Sequence, residues 1–160
     1  MFLRRFGRLA AISSTMACGG AHSPPAAPVA APGRLQLAVI PAESDAYPSA
    51  ARAVSASLAA AKLRGVEETR VSKAPLEVVQ LSIECVDASD ACYQAIGRSL
   101  SANRLLFARI DGGASKRQLK VTVTLYDVDA REVRRTRAQL FDSEREASAG
   151  AAALVAEVTR

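Results

Sequence analysis

Residues 118–126 alternate without a break. Leu119, Val121, Val123 and Leu125 face one way, and Gln118, Lys120, Thr122, Thr124 and Tyr126 face the other. A period of two predicts a strand, and a one-sided apolar face predicts an antiparallel one. The apolar run 35–40 (LQLAVI), stopped by Pro41, predicts a buried strand. Pro48 suits a helix first turn; Ala50, Val54, Leu58 and Ala61 follow at helical spacing until Gly65. Residues 66–72 give a second, weakly patterned strand. Residues 75–85 fit two patterns: Leu76, Val79 and Ile83 share a helical face after Pro75, yet 79–85 also alternates strictly. The helix is favoured, with the strand as the alternative.

Asp87 or Ser89 can cap a helix whose stripe is Cys92, Ala95, Ile96, Ser99 and Leu100. Residues 104–110 (RLLFARI) predict a strand, and Asp111-Gly112-Gly113 a turn. After 118–126, residues 127–130 make a tight connection and 131–141 the return strand. Ser143-Glu144-Arg145-Glu146 reads as a capping box before a last helix carrying Ala147, Ala151, Leu154, Val155 and Val158. The expected order is β-α-β-α-α-β-β-β-α. That is an α/β (α+β) fold with one mixed sheet, a late antiparallel meander and helices packed on it.

The first 33 residues have no such pattern. Residues 1–8 carry three arginines and no acid, and 9–17 are short, apolar and rich in small residues. This is the order of a secretory signal peptide, too short to span a bilayer. Thr15-Met16-Ala17-Cys18 resembles a bacterial lipobox, which implies lipidation at Cys18. Residues 19–33 hold four prolines and no charge, the composition of a partly stiff spacer. The expected domains are a signal at 1–17, lipidated Cys and tether at 18–33, and one folded domain at 34–160. Gly19 stands where an inner-membrane retention signal places Asp. By resemblance to that sorting pattern, the expected address is the outer membrane, facing the periplasm.

Charge then changes little. The formal +5 falls to +2 once Arg4, Arg5 and Arg8 leave with the signal. Charge alone therefore gives no case for nucleic acid binding. Cys85 and Cys92 remain as an even pair, and an exported chain predicts a disulfide between them. Free thiols are the alternative. The spacing is not C-x-x-C, and the domain has no His to complete a zinc site.

Catalysis finds no footing in the sequence. The single His, His22, lies in the tether, so nucleophile–His chemistry is excluded from the domain. The carboxylate pairs Glu67-Glu68, Asp87/Asp90 and Asp127/Asp129 sit in turns or at caps. Residues 111–116 (DGGASK) lack P-loop spacing and precede a strand, so a hairpin is expected. Tyr47, Tyr93 and Phe107 are expected to pack. No cofactor, metal site or enzyme activity is expected. The remaining candidates are Arg131, Arg134, Arg135 and Arg137. They read either as charges that deter edge pairing or as a basic strip for an acidic partner or an anionic envelope polymer.

Three stretches carry a family resemblance. LQLAVIP (35–41) resembles the first strand of TolB amino-terminal-like domains. Residues 92–106 (CYQAIGRSLSANRLL) resemble their helix-to-strand segment, and 121–133 (VTVTLYDVDAREV) their late hairpin. Where the family places a turn glycine, this chain has Arg131. Such domains occur in lipoproteins that activate cell-wall synthases, and in myxobacterial envelope lipoproteins with a similar Cys pair. The resemblance implies a non-catalytic accessory module for an envelope protein complex, held to the membrane by its lipid. The alternative is a periplasmic small-ligand or cell-wall-polymer binding protein. That reading requires a concave pocket with convergent polar groups.

Overall fold

The computed structural model describes residues 34–85 and 87–160. The signal segment, Cys18 and the tether lie outside the described residues. Nine elements follow in the expected order: β1 (Gln36–Val39), α1 (Pro48–Ala60), β2 (Glu68–Val71), α2 (Leu76–Ser82), α3 (Asp90–Ser99), β3 (Arg104–Gly112), β4 (Leu119–Asp127), β5 (Glu132–Phe141) and α4 (Glu144–Thr159). One five-stranded sheet has the order β2-β1-β3-β4-β5. β1 pairs parallel with β2 and β3, while β3-β4-β5 is an antiparallel meander.

Helices cover both faces. The face bearing Leu119, Val121, Val123 and Leu125 packs on Val54 and Leu58 of α1 and on Ala151, Leu154 and Val158 of α4. The opposite face, through Ala38, Leu105, Phe107 and Tyr126, packs on Leu76 and Val79 of α2 and Ile96 of α3. Burying one such aliphatic side chain contributes about 1.5–3 kcal/mol, and these two clusters hold the three layers together. The Tyr93 ring lies 5.1 Å from those of both Phe107 and Tyr126, so these three rings cluster between α3 and the sheet.

Within the ambiguous stretch 75–85, residues 76–82 are helical and no strand forms. Alternation lost because Leu76 and Val79 meet the sheet one turn apart, while Leu81 is left exposed. The helix ends with Glu84 in the left-handed region (φ 56°), where Glu84 N–H donates to Leu81 O and Cys85 N–H to Gln80 O. α3 ends in the same way, with Ser101 at φ 51°.

Two boundaries differ from the pattern. α1 stops at Ala60, short of Gly65, because Leu63 and Val66 must turn back onto the core. Gly65, at φ 80°, serves the loop that does this. β3 runs through Gly112, since Asp111 pairs with Lys120 and Gly112 with Leu119. The hairpin therefore turns later. Gly113 closes it by donating to Gln118 O at 2.8 Å, in a gap where a Cβ would stand 2.5 Å from Gln118 Cβ.

Candidate functional site

The four predicted arginines do not make one strip. Arg131 sits in the β4–β5 turn at φ 59°, the left-handed conformation that a glycine adopts without strain. Arg137 pairs with Val123 across the ladder, so it lies on the α4 face, 3.8 Å from Glu157. Arg135 pairs with Leu125 on that same face and donates to the Arg160 carbonyl oxygen. Arg134 is the extra residue of a β-bulge: Leu125 pairs with Arg135, but the next residue, Tyr126, pairs with Val133. A regular strand would have sent Arg134 to the opposite face. The bulge instead lets consecutive arginines line one cleft.

That cleft encloses about 500 Å3 at the end of the sheet where β3 begins and β4 finishes. Its apolar lining is Leu35, Leu63, Leu125 and Val158. Its charged lining is Arg64, Arg104, Arg134, Arg135 and Arg160. Five arginines thus line it from four places: the α1–β2 loop, the start of β3, the β5 bulge and the end of α4.

One acid organises the arginines. Asp127, buried at the end of β4, stands opposite Arg104 in the ladder and accepts from its Nη1 at 2.7 Å. The same Asp127 oxygen accepts from the N–H groups of Asp129 and Ala130, which closes the turn. Its other oxygen lies 3.7 Å from Arg134 Nε. The carboxylate thus fixes Arg104 through one oxygen and stands near Arg134 with the other, and its single charge does not neutralise the cleft. By sequence pattern alone Asp127 is a turn or capping residue. A signal for the pair did exist, because a β3–β4 hairpin that aligns Gly112 with Leu119 also aligns Arg104 with Asp127.

The other candidates are scattered. Cys85 and Cys92 are bonded, with Cα atoms 5.5 Å apart, and join the end of α2 to the first turn of α3. Ser89 caps α3 by accepting from Cys92 N–H at 3.3 Å. Glu67 lies 3.3 Å from Arg34, and Glu68 2.7 Å from Arg70. Among the described residues no group of His, Cys, Asp and Glu could hold a metal ion, and no helix is long and apolar enough to cross a membrane.

A second feature is the outer edge of the sheet. β5 is an edge strand, exposed from Glu132 to Leu140. On the face away from α4, Thr122 pairs with Ala138, Thr124 with Thr136 and Lys120 with Leu140. There Val133 and Leu140 are 48% and 55% exposed. The charges of β5 end at Arg137, which leaves Ala138, Gln139 and Leu140 as an uncharged stretch of edge.

No family model matches the chain, and no curated protein matches it in sequence. Among solved structures, it is similar to the LpoB C-terminal domain from Salmonella enterica, at 15% identity and TM-score 0.43, over 67% of this chain and 82% of that one. The PelC dodecamer from Paraburkholderia phytofirmans is similar at 18% identity and TM-score 0.40, over 78% and 86%. TolB from Acinetobacter baumannii is similar at 15% identity and TM-score 0.40, over 79% of this chain and 28% of that one. Similarity of this degree assigns no ligand or partner to this chain.

Proposed function

We propose that this chain is a lipid-anchored envelope protein that works as a non-catalytic docking module, binding a partner protein along β5. The carrying observation is the β5 edge, whose residues 138–140 are exposed and uncharged, with exposed Val133 on the same face as Leu140. A free edge with alternate side chains on an open face accepts an extended segment as an added strand. The charged first half of β5 limits indiscriminate pairing, and the uncharged second half leaves a defined length for the partner.

The sequence supports the rest of the reading. The signal at 1–17, Cys18 and the tether at 18–33 place residues 34–160 on a lipid anchor, with the outer membrane facing the periplasm as the address. Tethering raises the local concentration of the domain near an envelope complex, so a weak edge contact suffices.

A photo-crosslinking amino acid at position 138, with a control at Arg52 on α1, tests this in the native envelope. Mass spectrometry of the recovered protein reads two things. The N-terminal peptide should begin at an acylated Cys18, and adducts to one envelope protein should form from position 138 and not from 52. An unprocessed N-terminus would contradict the anchor, and equal adducts at both positions would contradict docking at β5.

A further inference from the structure

We propose that the arginine cleft binds a phosphate-bearing ligand through Arg64, Arg134 and Arg135, with Arg104 as a fixed anchor. This site takes Arg134 and Arg135 from the charged half of β5 and none of residues 138–140, and the proposal does not rest on partner docking.

The charge balance is the first argument. The lining has five arginines, and Asp127 offsets one. Even with an α-carboxylate at Arg160 counted against it, a surplus of three positive charges faces one concavity. Arg64 takes part in no ion pair among the described residues. Like charges brought this close repel one another, and a bound anion relieves that repulsion.

Geometry selects the anion. The lining arginines come from three separate segments, the α1–β2 loop, β3 and β5. A planar carboxylate offers two oxygens in one plane. A tetrahedral phosphate sets its oxygens out of one plane, three terminal ones with close to two negative charges in a monoester and two with one charge in a diester, so it accepts from several directions at once. A volume of about 500 Å3 is within the range of small-molecule sites, and the leucine and valine lining suits the non-charged body of the ligand. Arg104 is pre-positioned by its bond to Asp127, which reduces the ordering needed on binding.

A soluble phosphorylated compound and an anionic phospholipid headgroup share this chemistry, and the test separates them. The full chain carrying Cys18→Ser has no acyl group that could itself enter a membrane. It is titrated with pyrophosphate and with malonate at fixed ionic strength by 1H–15N NMR. It is also floated with vesicles of phosphatidylglycerol and phosphatidylcholine, or of phosphatidylcholine alone. Saturable pyrophosphate binding, with Kd raised roughly tenfold or more by Arg64→Gln or Arg135→Gln and unchanged by Arg70→Gln, establishes the site with a soluble ligand. Flotation only with phosphatidylglycerol, lost in the same two variants and kept in Arg70→Gln, establishes it with a lipid headgroup. Both substituted arginines are exposed, and the NMR spectrum reports that each variant stays folded. Malonate binding as tightly as pyrophosphate overturns the assignment to phosphate. Absence of binding in both arms, or equal weakening by Arg70→Gln, overturns the site.

Discussion

The Glu144 carboxylate, in the first turn of α4, accepts from the backbone N–H of Ala50 at 3.1 Å and also from that of Ser49. It thereby caps α1, a helix whose own N-cap residue, Tyr47, supplies no side-chain bond. An acid at a helix N-terminus satisfies orphan donors and complements the dipole. Here the acid comes from another helix, so it also sets how α1 and α4 meet. Glu144→Ala should lower stability by about 1 kcal/mol, read as a shifted urea midpoint with an unchanged slope.

The Ser143–Glu146 box was legible in the sequence, and Ser143 Oγ does accept from Glu146 N–H at 3.2 Å. Glu146, however, returns its bond to Asp142 N–H. The role of Glu144 was not legible, because it depends on a residue 94 positions away. The same division holds throughout. Helices and strands were readable wherever a period of two or 3.6 was continuous, and β4 is the best case. What escaped depends on register and irregularity. The four arginines looked like one strip, but a bulge at Arg134, the turn at Arg131 and the α4 face distribute them. Arg64 and Arg160 joined the site from distant segments that no local spacing connects to β5.

Gly97 is where α3 touches the β4–β5 turn. A Cβ there would stand 2.4 Å from Val128 Cγ2 and 3.0 Å from Ala102 O. Gly97→Ala should cost about 1–3 kcal/mol through overpacking, despite the higher helix propensity of Ala. Adding Val128→Ala should recover part of that loss in a double-mutant comparison.

Arg131 holds a left-handed conformation (φ 59°) without the benefit of a missing Cβ. Arg131→Gly should raise stability by up to about 1 kcal/mol, since relief of strain outweighs the extra freedom of the unfolded chain. Thermal denaturation checks the sign. Removal of this positive charge should leave pyrophosphate affinity unchanged, because Arg131 is not in the cleft lining.

Reduction of the Cys85–Cys92 bond, or Cys85→Ser with Cys92→Ser, should lower stability by about 2–3 kcal/mol, the chain-entropy value for so short a loop. The sheet should persist, since the bond joins α2 to α3 and no strand depends on it. Denaturant titration with and without reductant measures the loss.

Tyr126 sets an alkaline limit. Its phenol is pushed up to about 12 from an ordinary 10.0, first by burial and then by Asp90. The Tyr126 hydroxyl donates to the Asp90 carbonyl oxygen at 3.2 Å. The folded state holds this proton more tightly than the unfolded state does. Its contribution is therefore complete below pH 10 and lost as pH rises through 12. Tyr126→Phe should flatten the fall in stability over that window, measured by urea unfolding at stepped pH.

Docking at β5 is the central claim, and its most direct measurement is a quantitative crosslinked pull-down from native envelope membranes. It compares the wild-type chain with Ala138→Asp plus Leu140→Glu. Both positions are exposed, so the variant should keep its fold, which circular dichroism confirms. The account predicts one reproducible envelope protein with the wild-type chain and its loss with the variant, while the acyl anchor stays in place. Undiminished recovery of that protein by the variant would contradict it. So would a wild-type chain that brings down only polymer or small ligand.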